Sequence, residues 1–312
     1  MSTILVNDPI HEAGIQRLEE AGHDVVQGPL EGKRREQVLG EARAAIVRSG
    51  TTVDEALLDE APELEVVARA GVGVDNIDLD ACEARDVTVF NTPDASTNAV
   101  AELTLAHMLS VARHFPRAQR AMPQGEWPKS DCRGVELSGR TLGLVGIGRI
   151  GARVAELAQA FGMDVHAHDP YVDEARADEL GIQLHEDPGA MAAHLDVVSV
   201  HTPLTPETEG LVGGAFFDAA EAPLVVVNCA RGGVVDEDAL RGALEQGTVA
   251  GAGLDVYETE PPEDRELLQH PRVSTTPHIG AQTDEAQRAC ARLAADGILA
   301  IFDGSEPDTR IV

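Results

Sequence analysis

Lysine is almost missing. Among 24 basic side chains only Lys33 and Lys129 are lysines, against 54 aspartates and glutamates, which leaves a formal charge of −30. A surface this acidic repels phosphate and excludes nucleic-acid binding through a general basic face. Carboxylates keep a protein soluble better than lysines do, and their mutual repulsion is screened by salt, so the composition reads as halophilic. Long apolar runs are missing too. The longest, around Ala222–Ala230, contains Pro223 and Asn228 and is far short of a membrane span. Cys82, Cys132, Cys229 and Cys290 are scattered with no CxxC pair, which argues against a zinc site or disulfide scaffold and for free structural thiols in a reduced, cytoplasmic protein with no metal. The first eight residues lack the basic and cleavage segments of a targeting signal and read as a strand. No repeat and no low-complexity tract is visible.

What is there is a globular composition, 43% apolar and 25% charged over 312 residues, enough for two domains. Short apolar runs alternate with amphipathic stretches, the pattern of parallel sheets wrapped by helices. Strands are expected at Thr3–Val6, Asp24–Val26, Ala44–Arg48, Leu64–Ala68 and Val87–Asn91, with helices between them at Val53–Glu60 and Leu79–Arg85. A long apolar helix follows at Asn98–Phe115. A second alternation places strands at Thr141–Val145, Asp164–His168, Val197–Val200, Leu224–Asn228 and Ala250–Leu254, and helices at Ile150–Phe161 and Asp236–Glu245. The last helix, Asp284–Phe302, has a one-sided apolar stripe and is expected to return to the first domain. The reading is an α/β protein of two doubly wound parallel-sheet domains, Rossmann-like or flavodoxin-like, with a cleft between them. Residues 1–97 plus 285–312 form a discontinuous substrate-binding domain, and 98–284 a dinucleotide-binding domain.

The most specific local pattern is T-L-G-L-V-G-I-G-R-I-G at Thr141–Gly151. Gly146, Gly148 and Gly151 form G-x-G-x-x-G between a strand and a helix, with Arg149 and Ile150 opening the helix. Gly146 permits the turn, Gly148 admits a pyrophosphate, Gly151 lets helix and strand close up, and free N–H groups at the helix start meet the negative charge. The next strand runs into Asp169, an acceptor for ribose hydroxyls that would repel the extra phosphate of NADP. Pro170 and Tyr171 follow it rather than an arginine, so NAD is the expected cofactor.

Three polar residues follow apolar runs in this second domain: Arg231 in N-C-A-R-G-G, Glu260 in D-V-Y-E-T-E-P-P and His278 in T-T-P-H-I-G. Ligands of open parallel sheets sit at the carboxyl ends of strands. An imidazole suits proton removal from a secondary alcohol, a neighbouring carboxylate orients it and favours its charged form, and an arginine holds a carboxylate. Taken singly, each also reads as a surface ion pair, a solvated loop carboxylate or a turn histidine. His11, His23 and His185 have no such setting and read as surface residues.

These segments, with H-T-P-L-T-P-E-T, V-V-N-C-A-R-G-G-V-V-D-E-D-A-L, G-L-D-V-Y-E-T-E-P-P and T-P-H-I-G-A, resemble the D-isomer-specific 2-hydroxyacid dehydrogenases over essentially the whole chain. Within that family the likeness is strongest to the D-3-phosphoglycerate dehydrogenases, through I-V-R-S at Ile46–Ser49, R-A-G-V-G-V-D-N-I-D from Arg69 and P-H-I-G-A-Q-T-D-E-A-Q. The resemblance implies that Arg231 binds the substrate carboxylate and carbonyl, that His278 is the acid/base and Glu260 its partner. It implies that Asp255 and the backbone of Cys229–Ala230 lie near the nicotinamide, and His201 and Thr202 near the adenosine. It puts the backbone N–H groups of Val72 and Gly73 on the substrate carboxylate, and Arg48 and Arg69 on its phosphate, with Lys129 assisting from a partner subunit. It implies a homodimer built through the cofactor domain, in the region of Gly125–Gly139 with Trp127. The expected substrate is a small 2-hydroxyacid, 3-phospho-D-glycerate first, with no nucleic-acid or membrane partner. A reductase of glyoxylate, hydroxypyruvate or another unphosphorylated acid is the same-class alternative, and an NADH-sensing corepressor or scaffold the remote one. Formate oxidation is disfavoured, since those relatives pair the histidine with Gln where this chain has Glu260. The chain ends soon after His278, so the amino-acid-sensing domain of many phosphoglycerate dehydrogenases, and feedback by serine through it, are not expected.

Overall fold

A computed structural model describes residues 1–263 and 265–312. They divide into two compact units, Met1–Ser96 with Ala281–Val312, and Thr97–Gly280.

The first unit opens with β1 (Thr3–Val6), α1 (Glu12–Glu20), β2 (Asp24–Gln27), α2 (Gly32–Glu41), β3 (Ala42–Val47), α3 (Glu55–Glu60), β4 (Val66–Arg69), α4 (Leu79–Glu83) and β5 (Thr88–Asn91). The strands form one parallel sheet in the order β2-β1-β3-β4-β5. Its central strands are buried on both faces, as a sheet covered by helices on both sides requires. His11 is not an idle surface residue: its Nδ1 accepts from Ala13 N–H and caps α1. His23 is half-buried, its ring 5.3 Å from that of Phe302.

The second unit begins with α5 (Thr97–Ala112) and α6 (Phe115–Ala121). A single helix to Phe115 is what the apolar pattern predicts. Instead the chain breaks at His114, which takes a left-handed backbone (φ 55°), because Pro116 cannot donate to a preceding turn and suits a helix start. There follow β6 (Thr141–Val145), α7 (Arg149–Ala160), β7 (Asp164–His168), α8 (Glu174–Leu180), β8 (Gln183–Leu184), α9 (Pro188–Ala192) and β9 (Val197–Val200). Then come α10 (Gly214–Ala219), β10 (Leu224–Asn228), α11 (Glu237–Gln246), β11 (Val249–Leu254), α12 (Arg265–Gln269) and β12 (Val273–Thr275). Seven parallel strands lie in the order β12-β11-β10-β9-β6-β7-β8. The order reverses direction between β6 and β9, the topological switch point where such sheets bind ligands. His185 is again no isolated surface residue: its Nε2 lies 3.0 Å from His166 Nδ1, and the two rings stack at 5.0 Å.

The chain ends in α13 (Asp284–Phe302), which belongs to the first unit. Thr283 caps it by accepting from Ala286 N–H, and its stripe of Cys290, Ala291, Ala294, Ala295 and Ile298 is buried. It packs on α1 and β4. Gly14 makes the approach possible: a Cβ there would lie 2.5 Å from Ala291 O.

Among the described residues no helix is long and apolar enough to cross a membrane, and no group of three or more His, Cys, Asp or Glu is placed to hold a metal. All four cysteines are free, and Cys82, Cys229 and Cys290 are buried.

Candidate active site

The glycine loop joins β6 to α7 at the switch point. Gly146 has φ 95°, which a side chain rarely tolerates, and a Cβ there would fall 2.8 Å from Thr202 Cγ2 and 2.9 Å from His201 O. A Cβ on Gly151 would strike Gly146 O, whereas one on Gly148 would meet nothing within 4 Å. The loop is therefore tight on its protein side and open above Gly148. Gly148 provides no side-chain cap to α7, and a helix start of this kind turns its first N–H groups toward an anion. Asp169 ties the loop to the end of β7: its carboxylate accepts from Ile147 N–H at 2.8 Å and from Tyr171 N–H at 2.9 Å.

Beside the loop, after β9, two buried polar atoms have no partner: His201 Nδ1 and Thr202 Oγ1. Burial holds the His201 imidazole down at about 3, so it is neutral, with Nε2 2.9 Å from Ser199 Oγ. A tight glycine turn, an uncapped helix start and orphaned polar atoms at one switch point fit a dinucleotide.

Glu260 and His278 come together. They sit on the loops after the neighbouring strands β11 and β12, and Glu260 Oε2 is 2.7 Å from His278 Nδ1. The other oxygen of Glu260 accepts from Tyr257 N–H at 3.3 Å. His278 has a left-handed backbone (φ 51°) and its side chain is 45% exposed. With Nδ1 on the carboxylate, Nε2 is the nitrogen left to exchange a proton.

Arg231 sits on the loop after β10. Asn228 fixes that loop, accepting from Ala230 N–H at 3.0 Å and donating to Arg231 O at 2.8 Å. Gly232 lies against the backbone of Tyr257 and Glu258, where any Cβ would clash, so the Arg231 loop and the Glu260 loop are in direct contact. The buried thiol of Cys229 is pushed up to about 12 by burial, which keeps it protonated and a poor nucleophile. Asp255 is 1% exposed, and its carboxylate accepts from Thr276 Oγ1 (2.6 Å), Ile279 N–H and Gly280 N–H (2.8 Å each). In this structure it holds the histidine loop.

The remaining residues lie in the first unit. Arg48 follows β3 and Arg69 ends β4, at the carboxyl edge of that sheet. Asp8 accepts from Arg48 N–H at 2.5 Å, and Arg69 Nη1 donates to Ala70 O at 2.8 Å. Val72 O accepts from Asn91 Nδ2 at 2.6 Å, and Gly73 follows it in the chain. Sequence patterns missed Thr276, Asn228 and His107, which hold the site from behind. The signal that could have found His107 and Thr276 is a histidine on the buried face of α5 together with the hydroxyls of V-S-T-T-P-H; Asn228 carried none.

Residues 105–280 match the family model described as D-isomer specific 2-hydroxyacid dehydrogenase, NAD binding domain. D-3-phosphoglycerate dehydrogenase of Methanocaldococcus jannaschii is 42% identical over 304 residues, covering 97% of this chain and 58% of that protein. The chain thus spans little more than half the length of the curated relatives it matches. A crystal structure of a Thermus thermophilus protein superimposes with a TM-score of 0.89 at 35% identity, covering 100% of both chains. A glyoxylate reductase from Paecilomyes thermophila does so at 0.88 and 30%, covering 100% of this chain and 98% of that one. The chain belongs to the D-isomer specific 2-hydroxyacid dehydrogenases, a family that works with NAD.

Proposed function

We propose that this protein oxidises 3-phospho-D-glycerate to 3-phosphohydroxypyruvate, the entry to serine biosynthesis, and runs the reverse reduction. The observation that carries the reading is the 2.7 Å contact between Glu260 and His278 at the carboxyl edge of the sheet that bears the glycine loop. Bound NAD would supply the acceptor for the hydride that leaves the carbon bearing the hydroxyl. Gly146, Gly148, Gly151 and the start of α7 would hold its pyrophosphate, Asp169 its ribose, and His201 and Thr202 would border its adenosine side. The backbone of Cys229 and Ala230 would lie toward its nicotinamide.

His278 Nε2 removes the hydroxyl proton as the carbonyl forms. The carboxylate of Glu260 stabilises the resulting imidazolium and keeps Nδ1–H pointed at itself. Arg231 binds the carboxylate and polarises the oxygen on the reacting carbon. In the first unit Val72 and Gly73 offer backbone N–H groups to the acid, and Arg48 and Arg69 are the forked donors suited to a phosphate dianion.

One observation favours a second reading, reduction of an unphosphorylated 2-oxoacid: the glyoxylate reductase shares the fold over the whole chain. NADH oxidation at molar KCl with 3-phosphohydroxypyruvate, hydroxypyruvate, glyoxylate and pyruvate separates them. A strong preference for the phosphorylated acid, lost in Arg48→Ala and Arg69→Ala, supports the first. Preference for an unphosphorylated acid, untouched by those changes, establishes the second. No turnover with any acid leaves an NADH-sensing protein.

The exposed Phe115, Met122, Trp127 and Val135 support a homodimer through this segment, since scattered surface apolar groups rarely cluster along one stretch without a partner. Light scattering at high salt reads the mass directly.

A further inference from the structure

A chain of hydrogen bonds runs through the apolar core beneath the histidine loop. His107 lies on the buried face of α5 and is 2% exposed. It reaches the sheet because Gly253 has no side chain; a Cβ there would lie 2.5 Å from His107 Cβ. His107 Nδ1 is 3.1 Å from Ser274 Oγ, and its Nε2 is 2.9 Å from Thr276 Oγ1. Ser110 donates to Ser274 at 3.1 Å, and Thr276 donates to Asp255 Oδ1 at 2.6 Å.

Counting protons fixes the direction. A hydroxyl has one proton, and Thr276 gives its own to the Asp255 carboxylate, which can only accept. Thr276 therefore receives a bond from His107, whose Nε2 carries the proton. Nδ1 is then bare and accepts from Ser274, which accepts from Ser110. Each link donates in the same sense, and the chain ends on Asp255. The neutral ring this requires agrees with burial, which lowers the His107 pKa against the opposing charge of Asp255.

Asp255 gathers three successive N–H groups of the catalytic loop. Its backbone oxygen takes that of His278 at 2.8 Å, and its carboxylate takes those of Ile279 and Gly280. A left-handed backbone at a residue other than glycine is strained and persists only when its surroundings enforce it. That conformation at His278 carries the Nδ1 contact with Glu260.

We propose that His107 is a positioning residue for His278. Through Thr276 it keeps Asp255 oriented on the 278–280 turn, so that the catalytic imidazole stays aimed at Glu260. This rests on the proposed role of His278 in proton transfer.

Three variants test it. His107→Met fills the space but cannot donate to Thr276. Thr276→Val removes the next link. His107→Gln keeps an N–H donor at the reach of Nε2, so the link to Thr276 survives. For the preferred acid, His107→Met is expected to lower kcat on the order of tenfold to a hundredfold, the cost of a misplaced catalytic group. KM and the fluorescence-measured Kd for NADH should change little. His107→Gln should restore most of the rate. The double variant His107→Met/Thr276→Val should lose no more than the worse single one, because both cut one chain. Amide exchange at Ile279 and Gly280 should quicken in the Met and Val variants and recover in the Gln variant.

Wild-type kcat in folded His107→Met overturns the proposal. So does His107→Gln failing as badly as Met, or strictly additive losses in the double variant. If the wild-type protein turns over no acid, the proposed function falls, while amide exchange still decides whether the chain holds the loop.

Discussion

His278 and Glu260 are 18 positions apart in sequence and 2.7 Å apart in space. Residue types alone suggested both, but that they meet was implied only by resemblance. The physical reason is β12, three residues long and without a readable alternation, which sets His278 beside the Glu260 loop. The same scale gives a prediction. Glu260→Gln keeps a hydrogen-bond acceptor near Nδ1 and removes the charge that favours the imidazolium. We expect kcat to fall on the order of tenfold to a hundredfold while NADH affinity stays unchanged, since the carboxylate acts on the proton and not on the cofactor. Steady-state kinetics with fluorescence titration of NADH separates the two quantities. Equal loss of affinity and rate would move Glu260 from proton transfer to cofactor binding.

At the scale of elements, strands with continuous apolar runs were legible almost to the residue: Thr141–Val145, Asp164–His168, Val197–Val200 and Leu224–Asn228 are β6, β7, β9 and β10. They are buried on both faces, so composition and position coincide. Short or exposed elements were not legible. The polar α2 was not read, and the break at His114 gave way to the proline two positions on. The one-sided stripe of α13 announced a partner without naming it. That partner includes α1, at a crossing where Gly14 faces the backbone of Ala291. Gly14→Val must push the helices apart or strain both. It should destabilise the protein by about 1–3 kcal/mol, seen as a lower urea midpoint, while Gly40→Ala, at an open position in α2 with an ordinary helical backbone, should not lower it.

At the scale of the whole molecule, the charge of −30 is the property most visible in sequence and least connected to the chemistry. Its consequence is self-repulsion, which salt screens over about 10 Å at 0.1 M and far shorter at molar concentration. The melting temperature should therefore rise with KCl and flatten once screening is complete. In that plateau a second dependence becomes measurable. Burial lowers the pKa of His107 and of His201, the latter to about 3, and burial together with His166, His194 and His168 lowers that of His185. Each group is held neutral in the fold and takes a proton near 6.5 when unfolded. Their contribution is complete above about pH 6.5. It is lost as pH falls below that value, because the unfolded chain binds protons the folded one refuses. At about 1.4 kcal/mol per pKa unit, His201 alone accounts for a few kcal/mol by the lower end of its window. Thermal unfolding at molar KCl between about pH 7.5 and 4.5 should show stability flat in the upper part of that range and falling below about pH 6.5. His185→Gln should shallow the fall without moving its onset. A curve that stays flat down to about pH 5 would mean that these imidazoles gain water or partners on protonation, and that the neutral ring in the chain from Ser110 to Asp255 is not enforced by burial.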